Sequence, residues 1–284
     1  MACLMRLNLP APAKLNLFLH VLGQRLDGYH KIQSAMCFLK LADTVSFREV
    51  KNDIRVHMEG IRQEDNLVYK AAMLLSDVAD TSGVEITVHK CIPKGAGLGG
   101  GSSDAATTLH GLNLLWKLGL QEEELVKVGL QLGADVPFFL KGFNAFAEGI
   151  GEELTPIELA EAWYLILVPE CNISTAQVFQ SADLTRDTSP ITIARFLQTE
   201  ILDNDCETSV RRLYPEVGVV IDWLRQQGAA RMTGTGSCIF IETNDEAEAQ
   251  EILSRSVWQG FVTKSTRQSI LMNALSQNRK SFQN

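Results

Sequence analysis

Pro93-Lys94-Gly95-Ala96-Gly97-Leu98-Gly99-Gly100-Gly101-Ser102-Ser103-Asp104-Ala105-Ala106 decides how the rest of the chain is read. Upstream, residues 84–92 (VEITVHKCI) alternate Val84, Ile86 and Val88 with polar neighbours, the period-2 pattern of a half-buried strand. Downstream, residues 103–118 put Leu109, Leu112, Leu115 and Trp116 on one side of a helix. The glycines therefore stand where a strand turns into a helix N-terminus. Free backbone N–H groups and the positive end of the helix dipole converge there. Glycine lets a ligand approach the backbone with no side chain in the way. Such a turn is a cradle for phosphate.

Other phosphate loops fit less well. Gly95, Gly97 and Gly100 satisfy G-x-G-x-x-G, but a dinucleotide site needs a second strand ending in Asp or Glu about 20 residues on. Residues 121–132 read instead as a helix with Glu122, Glu123 and Glu124 in its first turn. A Walker A loop needs Gly-Lys-Ser/Thr, whereas Gly101 is followed by Ser102-Ser103. The H-R-D and D-F-G motifs of protein kinases do not occur.

Two further segments are candidates for a polar site. In Pro10-Ala11-Pro12-Ala13-Lys14-Leu15-Asn16-Leu17-Phe18-Leu19, strand alternation puts Lys14 and Asn16 on one face and Leu15, Leu17 and Leu19 on the other. A lone lysine on such a face equally suits a solvated outer surface. In Leu132-Gly133-Ala134-Asp135-Val136-Pro137-Phe138-Phe139-Leu140, Gly133 is expected to end the preceding helix, and Asp135 to sit in a tight turn before Pro137. Spacing alone equally allows a structural turn residue bonding nearby N–H groups.

Together the three segments resemble the GHMP family of small-molecule kinases. The glycine run, the Leu132-Gly133-Ala134-Asp135-Val136-Pro137 block and Arg231-Met232-Thr233-Gly234-Thr235-Gly236-Ser237-Cys238 are similar to its phosphate, middle and late glycine motifs. Pro12-Ala13-Lys14-Leu15-Asn16-Leu17, Asp27-Gly28-Tyr29-His30 and Glu64-Asp65-Asn66-Leu67 resemble, more narrowly, family members whose small-molecule substrate is diphosphocytidyl methylerythritol. The resemblance runs from about residue 10 to 261, leaving the tail after Ile270 unmatched.

That resemblance implies an α+β, two-domain GHMP-kinase fold with the active site in the interdomain cleft. The boundary is expected near Thr155-Pro156, with residues 1–155 carrying the phosphate loop and catalytic pair, and 156–284 the second domain. It implies ATP with Mg2+, although no protein ligand for the metal is evident. Pro93, Lys94, Gly95, Ala96, Gly97, Leu98, Gly99, Gly100, Gly101, Ser102 and Ser103 would hold ATP phosphates, with Asn66 near adenine. By the same implication, Asp135 and Lys14 are catalytic, and Asn16, Tyr29, His30 and Phe179 bind substrate. Asn66 is equally an N-cap for a helix at Leu67, and Phe179 equally a core residue of a helix after Ser174. The implied reaction phosphorylates a tertiary 2-hydroxyl in the non-mevalonate route to isoprenoids. A GHMP kinase for another alcohol, or a non-catalytic ligand sensor, stays open.

Bulk properties set limits. At 284 residues, about 150 per domain suggests two domains. Hydrophobic content of 45% and charged content of 21% are those of an ordinary globular protein. A net charge of −8 argues against broad binding to nucleic acid or anionic membranes. A polyanionic substrate must then be met by local groups. Six scattered cysteines with no C-x-x-C, and no H-E-x-x-H, argue against zinc and suit free thiols in a reducing cytosol. Residues 1–14 lack a signal-peptide core, and the longest apolar run, 163–169, is too short to span a bilayer. A cytoplasmic bacterial enzyme, monomeric or weakly dimeric, is expected.

Patterning predicts strands at 15–22, 44–47, 54–58, 84–92, 143–148, 163–168, 238–242 and 261–264. Helices are predicted at 67–79, 103–118, 121–132, 191–200, 215–227 and 245–254. Ser189 and Pro190 are expected as N-cap and first residue of the helix at 191.

Overall fold

A computed structural model describes residues 6–78, 81–198 and 202–282, with side chains described as far as Arg279. The first half builds β1 (Arg6–Asn16), β2 (His20–Gln24), β3 (His30–Val50), β4 (Ile54–His57), α1 (Leu67–Ser76) and β5 (Gly83–His89). It continues with α2 (Gly100–Leu115), α3 (Glu122–Leu130), α4 (Val136–Lys141), β6 (Ala145–Glu148) and β7 (Glu153–Pro156). The second half opens with β8 (Trp163–Val168), α5 (Thr175–Gln180), α6 (Ile193–Gln198), α7 (Cys206–Leu213) and α8 (Pro215–Arg225). It closes with β9 (Arg231–Met232), β10 (Ile239–Thr243), α9 (Glu246–Ser254), β11 (Gln259–Thr266) and α10 (Ile270–Phe282). No described helix is long and apolar enough to cross a membrane.

β3 is the hub. It pairs antiparallel with β1, β2, β5, β6 and β11. The strand path β4-β5-β3-β11-β8-β10-β9 therefore runs from one half of the chain into the other. The crossing is the short β3–β11 pairing, Leu39 opposite Ser265 and Phe38 opposite Thr266.

Three apolar clusters fill the layers. One packs β1, β3 and β5 against helices through Phe47, Leu75, Leu109 and Phe138. A second packs β8 and β10 against α7 and α8 through Leu165, Val210, Ile221 and Leu224. The third joins the halves through Leu15, Phe146, Ile166 and Phe240, and it takes in Ala96 and Leu98 of the glycine run. Those two apolar residues anchor the loop by burial, leaving Gly97 between them and Gly95 and Gly99 on either side at the surface of a cleft.

A break in the β1–β3 pairing lies beside the first site residue. The β1–β3 register shifts between Pro12 and Lys14. Strict alternation would keep odd-numbered side chains on one face. Here Leu7, Leu9 and Ala11 pack in the first cluster, whereas Ala13 and Leu15 pack in the third. Across the break β1 advances two residues, Pro12 to Lys14, while β3 advances four, Ala42 to Phe38, so the surplus lies on β3. Beyond it Lys14 and Asn16 lie beside the glycine run and Asp135.

Several boundaries differ from the sequence patterns. The segment at 15–22 is interrupted, with β1 ending at Asn16 and β2 starting at His20. The strand expected at 44–47 is the end of the much longer β3, whose polar Lys40 and Asp43 mask its period. The helix after the glycine run starts at Gly100, so Gly100 and Gly101 form its first turn. The helix at 121 ends at Leu130, with Gln131 as its C-cap, so Gly133 lies beyond the cap. The helix expected from 191 starts at Ile193, and Thr192 Oγ1 accepts from Arg195 N at 3.1 Å, so Ser189 and Pro190 are not its cap. The far ends of that segment and of the one at 67–79 lie outside the described residues. α4, α7 and α10 carry no expectation from periodicity. α10 belongs to the unmatched tail, and it returns to the first half, where Leu271 and Leu275 join the first cluster.

Candidate active site

Two cavities meet at the glycine run. A cleft of about 760 Å3 is lined by Lys14, Tyr29, His30, Asp135, Phe179 and Gly234, among others. A second pocket of about 400 Å3 is lined by Asn66, Lys90, Pro93, Lys94, Gly101 and Ser102, among others. Gly95, Gly97 and Gly99 line both. The run is thus a wall one residue thick between two ligand-sized spaces. A group passing between them must cross backbone that carries no side chains.

Local conformation explains the glycines. Gly97 and Gly99 have φ of +79° and +72°, a region that side chains disfavour. A Cβ on Gly97 would lie 2.3 Å from Thr233 O, and one on Gly99 2.7 Å from the Phe139 ring. The late glycine motif is the opposing wall. Cys238 N donates to Ala96 O at 3.1 Å, and Asn204 Nδ2 donates to Met232 O at 2.8 Å and Gly234 O at 2.7 Å. The two loops are therefore fixed against each other before any ligand arrives. Within the run, Leu98 and Ser103 line neither cavity. Leu98 is a buried anchor, and Ser103 Oγ donates to Pro12 O at 2.7 Å, tying α2 to β1.

Lys14 and Asp135 come together on the cleft side of this wall. Lys14 Nζ donates to Gly97 O at 2.8 Å and to Asn16 Oδ1, and lies 3.7 Å from Asp135 Oδ2. Burial pulls the Lys14 pKa below the ordinary lysine value, while the Asp135 charge pushes it back up. Asn16 is oriented in turn: its Nδ2 donates to Ser34 Oγ at 2.7 Å, and Ser34 Oγ donates to Phe18 O. Asp135 occupies the N-cap position of α4, yet its side chain makes no capping bond. Its carboxylate is turned to Lys14 and the cleft, unlike the turn residue that spacing equally allowed.

The far end of the cleft holds two rings. His30 is buried and stacks on Phe179, with ring centroids 5.0 Å apart and planes 23° apart. Tyr29 is 60% exposed on a tight loop where Gly28 has φ +88° and Arg25 N donates to Tyr29 O. Asn66 Oδ1 accepts from Val68 N at 2.9 Å as the cap of α1, and the residue also lines the smaller pocket.

The chain is similar to known proteins over nearly its whole length. The sequence family described as GHMP kinases N terminal domain matches residues 66–143, and GHMP kinases C terminal matches 193–255. The 4-diphosphocytidyl-2-C-methyl-D-erythritol kinase of Tolumonas auensis is 49% identical over 275 residues, covering 94% of this chain and 96% of that protein. The chain belongs to the 4-diphosphocytidyl-2-C-methyl-D-erythritol kinase branch of the GHMP kinases. The Nitrosococcus oceani kinase of the same name is also 49% identical, over 94% of this chain and 97% of that one. A crystal structure of 4-(cytidine 5'-diphospho)-2C-methyl-D-erythritol kinase superposes with a TM-score of 0.82 at 32% identity, covering 91% of this chain and 99% of that one. Mevalonate kinase, at 16% identity and a TM-score of 0.66, shares the fold.

Two residues of this GHMP kinase site escape sequence reasoning. Ser34 carries no motif, and its role depends on β3 running past β1. Arg186 lies in a loop, 156 residues from its partner His30, to whose Nε2 its Nε donates at 3.2 Å.

Proposed function

We propose that this kinase transfers the γ-phosphoryl group of ATP to the 2-hydroxyl of 4-diphosphocytidyl-2-C-methyl-D-erythritol, giving the 2-phosphate and ADP. The step belongs to the non-mevalonate (methylerythritol phosphate) route to isoprenoid precursors. One observation carries the reading: the glycine wall separates a smaller pocket from a cleft with Lys14 and Asp135 at one end and two stacked rings at the other. ATP would occupy the smaller pocket and present its γ-phosphoryl over the glycine wall. The cytidine end would lie toward His30, Phe179 and Tyr29. The reading includes two lobes dividing near Thr155-Pro156, and a cytoplasmic bacterial enzyme that is monomeric or weakly dimeric.

Phosphoryl transfer needs two reactants in line and the charge on the transferred group spread out. Asp135 accepts the proton of the 2-hydroxyl as its oxygen bonds to the γ-phosphorus. The bond to the β–γ bridging oxygen breaks, and ADP leaves. Lys14, held by Gly97 O and Asn16, lies beside the carboxylate and stabilises charge on the attacking oxygen. Backbone N–H groups of the run hold phosphate oxygens. No group of three or more metal-ligating side chains exists among the described residues. A Mg2+ would therefore be held mainly by ATP and water, as is usual for this ion. When bound there, Mg2+ supplies neutralisation of phosphate charge.

A coupled ADP-release assay tests the reading. Turnover is expected with the diphosphocytidyl polyol and not with mevalonate or homoserine. Activity on either of the latter two, without the former, overturns it.

A further inference from the structure

We propose that Arg186 locks the tautomer of His30, making it a hydrogen-bond donor to the bound base and so setting preference for cytosine over uracil. The inference deepens the proposed function and rests on it. Arg186 Nε donates to His30 Nε2 at 3.2 Å. A guanidinium has donors and no acceptor. His30 Nε2 must therefore present a lone pair, and the single proton of the neutral ring sits on Nδ1. A ring protonated at both nitrogens would turn an N–H toward an N–H. Burial, and then the Arg186 charge, lower the His30 pKa, which keeps the ring neutral.

Arg186 cannot easily turn away. Its Nη2 donates to Phe179 O and Ser181 O, both at 2.8 Å, and its Nη1 donates to Leu184 O at 3.1 Å. One side chain thus fixes the backbone under the Phe179 ring and the proton position of the ring stacked on it. His30 Nδ1 bonds to no described residue, so its N–H is the donor left for a ligand in the cleft.

The chemistry of the two pyrimidines does the rest. N3 of cytosine is an acceptor, whereas N3 of uracil carries a proton. An Nδ1–H donor facing that edge pairs with cytosine and meets uracil donor to donor. The opposite tautomer would reverse the preference. Arg186 is in this sense a positioning residue, acting on the base through His30.

Two measurements test it. In the unmodified protein, a long-range 1H–15N spectrum of labelled histidine, with His30 assigned by His30→Gln, should show the Nδ1–H tautomer near pH 7. An Nε2–H tautomer, or an imidazolium, overturns the proposal without any Arg186 variant having to fold. Next, the cytidine-to-uridine ratio of kcat/KM is compared for wild type, Arg186→Ala, His30→Ala and the double variant, with Arg186→Lys as a milder change. One buried unpaired group is worth about 5–150-fold, so Arg186→Ala should cut the ratio by that order. In the His30→Ala background, the Arg186 change should leave the ratio untouched. A merely structural Arg186 would raise KM for both substrates alike, in both backgrounds, and that pattern also overturns the proposal. A wild type with no cytidine preference would instead sink the functional reading.

Discussion

Lys14 Nζ lies 3.7 Å from Asp135 Oδ2, and the two ends of the pair differ in exposure: the lysine side chain is 4% exposed, the carboxylate 40%. The asymmetry suits the division of labour. A buried ammonium keeps one position and one set of partners. A half-open carboxylate can be reached by a substrate hydroxyl. Asp135 is not spent on capping its own helix, because α4 has no side-chain cap.

Asp135→Asn keeps the shape and removes the base. Turnover is expected to fall by about 10²–10⁴-fold while ATP still binds. A variant retaining more than about a tenth of wild-type turnover would contradict the role in proton transfer.

Lys14→Met removes the charge and keeps much of the buried stem. It should lower kcat, because its proposed work is on charge that develops during transfer. A rise in KM for both substrates with kcat unchanged would reassign Lys14 to ground-state binding. Asn16→Ala should lower kcat more mildly, since Lys14 Nζ keeps its bond to Gly97 O at 2.8 Å.

What could be read in the sequence follows from how locally each feature is encoded. The glycine run, the Lys14 strand and the Asp135 block each concentrate their chemistry in a few contiguous residues, and the fold brings them to one cleft. β3 was not legible at full length, because its 21 residues carry Lys40, Asp43 and Arg48 among the apolar ones. Asp43 is nonetheless fully buried, paired with Lys90 and accepting from Ile92 N. α4 has six residues, too few for a 3.6 period to declare itself. Arg186 has no local signal at all. Its meaning comes only from a ring on another strand.

Gly101→Val tests the cradle more cleanly than a change at Gly99. A Cβ on Gly101 meets only Leu67 Cδ1, at 3.7 Å, and the residue lies in the first turn of α2 beside the smaller pocket. ATP affinity should fall, while the thermal midpoint without ligand stays close to wild type. Gly99→Val should lower that midpoint itself, because φ is +72° and the new Cβ would sit 2.7 Å from the Phe139 ring. Unchanged ATP binding by calorimetry in a folded Gly101→Val protein would refute the cradle.

Asp104 should leave a pH signature on stability. Lys90 is the ion-pair partner of both Asp104, at 2.7 Å, and Asp43. Burial, with Asp43 adding to it against the pull of Lys90, pushes the Asp104 carboxyl up to about 7. Between the ordinary carboxyl value of 3.8 and about 7, the folded state then holds a proton that the unfolded chain has released. This group therefore favours folding at low pH and loses that contribution as pH rises through about 7. Asp104→Asn cannot ionise, so its stability relative to wild type should increase from pH 5 to pH 8. Denaturant titrations at the two pH values check this; a relative stability that falls with pH would contradict it.

Tyr29 tests the substrate most directly. Its ring is 60% exposed on the loop after β2, held by the Gly28 turn and the Arg25 N to Tyr29 O bond, and it lines the same cleft as His30 and Phe179. An exposed tyrosine at the mouth of a cleft contributes little to folding, so removing it should spare stability. Stacking of a base on an aromatic ring is worth about 1–3 kcal/mol. Tyr29→Ala should therefore raise KM for the cytidine substrate by about 5–150-fold and leave KM for ATP nearly unchanged. ATP is expected on the other side of the glycine wall, in the pocket lined by Asn66 and Ser102, out of reach of this loop. His30→Ala should weaken the preference for cytosine over uracil rather than binding of the polyol end. Equal activity of the wild type on cytidine, uridine and nucleotide-free substrates would remove the base from the reaction, leaving a GHMP kinase whose alcohol substrate must be sought elsewhere.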